Sequence, residues 1–190
     1  MLKEFKKNPY FRFTFLAIIL YVVWYVIYEA WLHPSGIWDR LIINNLVFLS
    51  NGILQLLGYA TLPVSDPDST IRIAGIDGTS GVWIGDPCNG FSLFALFLIF
   101  MITYPGPWKQ KLWFIPLGLI GIHLINAIRI AALAIIVDVN IDWLYFNHNY
   151  TFNIVVYSFV FLLWYIWAKK YAGPYVAKLK SEPHVEEEAD

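Results

Sequence analysis

Four stretches of the chain are apolar enough and long enough to be read as bilayer-crossing helices: about Phe13 to Leu32, Pro87 to Tyr104, Leu112 to Val137 and Tyr150 to Ala168. Each is near or above the roughly 20 residues that an α-helix needs to traverse the hydrocarbon layer. A fifth apolar stretch, residues 41–60, has a different pattern. Its Asn44, Asn51 and Gln55 stand seven and four residues apart, which gathers them on one helical face and predicts an amphipathic helix in, or dipping into, the outer interface of the membrane. From 62 to 86 the helical period disappears. Ile71 to Ile76 and Val82 to Ile84 are short β-prone pieces around a Gly-rich turn, the pattern of a small hairpin. Residues 171–190 are charged and poor in apolar side chains, so a disordered tail is expected there. The predicted fold is an all-α integral membrane protein. It has one polytopic domain over 1–170, about four transmembrane helices, an outer interfacial or re-entrant helix and a small extracytoplasmic hairpin.

Composition supports the membrane reading. Of the 190 residues, 58% are apolar and only 14% charged, against about 25% charged in soluble domains. The formal net charge of −1 gives no clustered basic surface for phosphate backbones, so nucleic acid is not expected as a partner. The first apolar run follows Lys3, Lys6, Lys7 and Arg12. It is about 20 residues long and lacks a small-residue cleavage site, so it is expected to remain as a helix and not to be removed as a signal peptide. Basic residues concentrate in cytoplasmic segments. Ten of the 13 fall in the N-terminus, in the loop holding Lys109 and Lys111, and in the tail holding Lys169, Lys170, Lys178 and Lys180. Both termini are therefore expected inside, with residues 33–86 and 138–149 outside.

Three residues carry candidate chemistry. Cys88 is the only cysteine, so it forms no internal disulfide and is either an inert core residue or a reactive thiol. Asp86-Pro87 has the form of a helix N-terminus. That would put Cys88 in the first turn, where exposed amides and the helix dipole favour thiolate. Gly90 would leave room for another backbone to approach, or would merely permit helix packing. Arg129 falls inside the third apolar run, where a charge costs at least about 2.5–3.5 kcal/mol and usually faces a cavity or functional site; its structural alternative is snorkelling or pairing with a neighbouring helix. Asn126, one turn earlier on the same face, is placed to orient that guanidinium. Ala127, Ala131 and Ala134 form a separate small-residue stripe suited to helix packing. His148 opens the last run and is suited to proton transfer near neutral pH, although a loop histidine is commonly just solvated.

Depth selects among the histidines. Counted from the cytoplasmic helix ends at about 1.5 Å per residue, Cys88 lies about 24 Å up from Tyr104, Arg129 about 26 Å from Leu112 and His148 about 28 Å from Trp167. All three share a layer just under the outer surface of a core about 30 Å thick. His123, about 17 Å up, falls below that layer and reads as structural. His33 could reach the layer, and His184 lies in the tail on the other side.

The ordered set "PCNGFSLF" (Cys88-Asn89-Gly90), "NAIRIAAL" (Asn126, Arg129) and a histidine opening the last span resembles the exosortase/archaeosortase family of membrane cysteine transpeptidases. The resemblance covers roughly residues 83–168. It implies that Cys88 is the nucleophile, Arg129 the oxyanion stabiliser and His148 the proton shuttle, with Asn126, Asn89 and Gly90 in support. It also implies substrates that are secreted proteins bearing a C-terminal sorting signal, composed of a short motif, a transmembrane helix and a basic end. These would be cleaved through a thioester at the outward face of the cytoplasmic membrane, among lipids. No cofactor is called for, and no His/Cys/carboxylate cluster has metal-ligand spacing. Two other classes compete. One is a non-enzymatic assembly or transporter subunit with a polar cavity around Arg129. The other is a membrane acyltransferase using His148 with an aspartate, which leaves the position of Cys88 unexplained.

Overall fold

A computed structural model describes residues 9–63, 72–85 and 88–181. Helix α1, Pro9–Ile27, continues through a wide π-helical turn, Tyr28–Leu32, and a last short turn, His33–Ser35. Gly36, in the left-handed conformation at φ +61, breaks it and starts α2, Ile37–Leu56. Strands β1, Arg72–Ala74, and β2, Val82–Ile84, pair antiparallel. Helices α3, Phe91–Thr103, and α4, Trp108–Val139, follow. A short α5, Asp142–Phe146, passes through the π turn Asn147–Thr151 into α6, Phe152–Trp167; a further π turn, Ala168–Ala172, leads to α7, Gly173–Ser181.

Three helical stretches are long and apolar enough to cross a membrane: Phe11–Ser35, Trp108–Val139 and Asp142–Lys178. The fourth expected crossing is shorter than the sequence implies. Pro87 lies outside the described residues, and α3 has 13 residues, about 20 Å of helix. The chain is all-α in its membrane part, with the hairpin as its one departure among the described residues.

The central element is α4, half of whose most apolar stretch is buried inside the protein, whereas that of α1 is almost wholly exposed and presents Ile18, Val22, Tyr25 and Val26 to the surroundings. In a bilayer those side chains are satisfied by lipid. The C-terminal half of α4 receives α2 and the hairpin. Ile43, Leu46 and Val47 of α2 pack with Ala74, Ile84, Ala127 and Ile130, and Leu54 packs with Ile76, Val82, Ala131 and Ala134. The alanine stripe thus serves close packing, as expected: Ala127 and Ala134 are fully buried, and Ser50 Oγ donates to the Ala127 carbonyl at 3.1 Å. The N-terminal half of α4 packs on α3 and α6 through Phe97, Met101, Phe114, Ile122, Val160 and Trp167. A Cβ at Gly118 would overlap the Phe97 ring, so this glycine sets how closely α3 and α4 approach.

The expected amphipathic helix forms four residues earlier, over 37–56 instead of 41–60, and its polar residues are used inside the protein. Asn51 is buried, Asn44 accepts from Arg72 Nη1 at 2.7 Å, and only Gln55 is exposed. The hairpin also matches, except that Ile71 lies outside the described residues. The tail expected to be unstructured from 171 is helical through Ser181, because the helix of the last span runs on; residues 182–190 lie outside the described part.

Candidate active site

Cys88 sits in a 3₁₀ turn ahead of α3 and not in the first turn of α3 itself. Asp86 and Pro87 lie outside the described residues, and α3 starts at Phe91 with Gly90 before it at φ +81. Cys88 occupies the preceding turn, closed by a 2.9 Å bond from its N–H to the Gly85 carbonyl. Asn89 closes the other side: its Oδ1 accepts the Phe91 N–H at 2.7 Å, a local Asx-type turn leading into the helix. Gly90 is required twice over. Its φ is one that L side chains rarely adopt, and a Cβ there would come within 3.0 Å of Asn126 Nδ2.

Asn126 has a different role from the expected one. Its Nδ2 donates to the Cys88 carbonyl at 3.1 Å, so it holds the thiol-bearing turn onto α4. Helix side chains lean toward the N-terminus, and the space left by Gly90 is what Asn126 fills.

The three candidate residues do converge. Cys88 Sγ lies 3.2 Å from His148 Nε2. Arg129, only 8% exposed, donates from Nη2 to the His148 carbonyl at 3.3 Å, and its charge acts on Cys88. Its Nε is buried without a hydrogen-bond partner among the described residues, so a donor is still available. Arg129 also lines a small cavity of about 80 Å³ with Asn89, Gly90, Ser92, Asn153 and Tyr157. His148 reaches Cys88 from the π turn Asn147–Thr151; such wide turns recur at functional sites because they re-aim a side chain within an otherwise regular helix.

Two other histidines are engaged elsewhere, and His184 lies outside the described residues. His123 Nε2 is 2.7 Å from Asn45 Oδ1, a bond between α4 and α2. His33 Nδ1 is 3.6 Å from Asp39 Oδ2. Asp39 is the residue that sequence reasoning missed. It is 1% exposed, accepts from Tyr28 Oη at 3.3 Å, and accepts from Asn89 Nδ2. Its carboxylate ties α1 and α2 to the turn that carries Cys88. An acidic residue in a helix's first turn was the available signal. Among the described residues this is the aspartate that meets a histidine, and that histidine is His33.

Burial raises the Cys88 thiol above its ordinary range, and Arg129 and the Gly85 hydrogen bond pull it back in part. Alkylation by iodoacetamide needs thiolate, so its rate should climb with pH to a midpoint above the ordinary thiol value. Arg129→Gln should move that midpoint higher still, because it removes the positive charge that favours the anion. A midpoint on the acid side of neutrality would contradict this electrostatic description.

Comparison with curated proteins and with solved structures returns no match. The family model described as transmembrane exosortase (Exosortase_EpsH) matches residues 6–165, which includes every element from α1 to the greater part of α6. With that match covering most of its length, and with its apolar helices built around a cysteine, an arginine and a histidine, the chain belongs to the transmembrane exosortase family.

Proposed function

We propose that this protein is a membrane cysteine transpeptidase or peptidase that cleaves the C-terminal sorting signals of secreted proteins at the outward face of the cytoplasmic membrane. The observation that carries the reading is the 3.2 Å approach of His148 Nε2 to Cys88 Sγ beside the buried Arg129. To accept the thiol proton Nε2 must be unprotonated, so the neutral ring carries its proton on Nδ1. Proton transfer to His148 then accompanies attack of the sulfur on the substrate's scissile carbonyl. The carbonyl oxygen becomes an oxyanion beside Arg129, whose partnerless N–H is a donor already in place. Collapse breaks the C–N bond, His148 gives its proton to the leaving amine, and the acyl group remains on Cys88 as a thioester. A second nucleophile, water or an amine, then displaces the sulfur with His148 as base.

The orientation is testable without knowing a substrate. Reporter fusions at Ser80 and Pro107 should fall on opposite sides of the membrane, with Ser80 outside. A membrane-impermeant thiol reagent applied to intact cells should abolish processing in the natural protein. Both reporters on one side, or full activity after Cys88 is blocked, would overturn this reading and favour a non-enzymatic subunit.

A further inference from the structure

The hairpin has an unpaired edge beside the candidate site. Leu62 N–H donates to the Gly75 carbonyl and Asp77 N–H to the Ala60 carbonyl, around a bridge between Thr61 and Ile76. Gly75 and Asp77 therefore turn their backbone groups toward residues 60–62. Because these groups alternate along a strand, Ala74 and Arg72 turn theirs toward β2 and exchange hydrogen bonds with Val82 and Ile84, their partners in the register. Ile73 and Trp83 are then a non-hydrogen-bonded pair, and the N–H and C=O of Trp83 point away from β1. Among the described residues neither group has a partner.

That edge borders a groove of about 430 Å³. Ser80, Gly81, Val82 and Trp83 form one wall, Leu144 and Tyr145 contribute to the other, and His148 lies between them. The groove shares His148 with the candidate site, where that residue is the neighbour of Cys88. The strand is tethered to the nucleophile as well: β2 ends at Ile84, and the next carbonyl, Gly85, accepts the Cys88 N–H. Val82 and Ile84 face the core while Trp83 is exposed, so a chain lying along this edge would extend the sheet without disturbing its packing.

We propose that the substrate's extended segment docks by adding a strand to the β2 edge, bonding to the Trp83 N–H and C=O, so that recognition begins with the peptide backbone. This rests on the reading of Cys88 as a peptide-attacking thiol. An unpaired edge is a template for any extended chain, and the occupant proposed here is a peptide entering the groove toward His148.

The probe is acetyl-tetraalanyl chloromethyl ketone, whose reaction with Cys88 forms a sulfur–carbon bond and releases chloride while the thiol proton passes to His148. Labelling is followed by intact-protein mass spectrometry on the full chain in detergent, beside two isomers carrying N-methylalanine at adjacent internal positions, and beside iodoacetamide as a reagent without a backbone. One isomer should label about tenfold more slowly than the parent, the size expected for loss of one or two hydrogen bonds, and the other should label at the parent rate. Trp83→Pro, tolerated at a strand edge, should remove the parent peptide's advantage while leaving iodoacetamide labelling unchanged. Ser80→Trp, which fills the groove from its rim, should do the same without altering β2 and serves if Trp83→Pro fails to accumulate. Equal rates for all three peptides would overturn the strand proposal and leave the thiol reading intact. A Trp83→Pro variant that changes particle mass but not peptide labelling would assign the edge to a second copy of the chain, and would also overturn it. Failure of every reagent to label Cys88 would instead overturn the reading on which the proposal rests.

Discussion

Cys88→Ala, Arg129→Ala and His148→Ala should each lower processing of anchored secreted proteins by about 10³-fold or more, and double variants should lose little beyond the singles. The geometry makes the three interdependent. His148 receives the Cys88 proton across 3.2 Å, and Arg129 grips the carbonyl of His148 at 3.3 Å, so removing any one disables the others' contribution. Multiplicative losses in the doubles would mean that the residues act separately. His123→Ala supplies the contrast. That histidine bonds Asn45 between α4 and α2, so its loss should lower accumulation or thermal stability and leave the activity of the surviving protein near normal.

Arg129→Lys should accumulate normally and turn over about 10²–10³-fold more slowly, the loss typical of a missing oxyanion donor. Lysine keeps the charge and much of the stem, but it is a single point donor and cannot reproduce the planar guanidinium. Here one face of that group is spent on the His148 carbonyl, while the buried Nε has no partner among the described residues. A lysine ammonium could replace one of these functions at a time. Full activity in Arg129→Lys would show that a fixed charge suffices. Loss of the protein from the membrane would make Arg129 a structural link between α4 and the segment that carries His148.

The parts of this site that were legible in the sequence are those fixed by helix length and chemistry. Cys88, Arg129 and His148 belong to different elements, yet counted along the apolar runs of the sequence they share one depth, and the structure brings the three together. A bilayer imposes one common ruler on all of them, which is why a depth count could bring them together. What was not legible depended on partners remote in sequence. Asn89 is 50 residues from the Asp39 it binds, and Asn126 is 38 residues from the Cys88 carbonyl. Helical periodicity placed Asn126 on the face of Arg129 but could not show that Gly90 opens a space on another side. Asp86-Pro87 carried a helix-start signal, and Cys88 does lie in a 3₁₀ turn, but α3 begins only at Phe91, after Gly90 in a left-handed conformation. The wide turn that aims His148 left no mark in the hydrophobic pattern, because one extra residue in a turn changes direction more than composition.

In the proposed reaction a peptide becomes covalently attached to Cys88. The most direct measurement is to co-express the full chain with secreted proteins carrying C-terminal membrane anchors, quench in acid, and map modified peptides by mass spectrometry. The expected result is an acyl adduct confined to the peptide containing Cys88, removed by neutral hydroxylamine as a thioester should be, and absent in Cys88→Ala and Arg129→Ala. Anchors removed at an undiminished rate in Cys88→Ala, with no adduct on the natural protein, would contradict it.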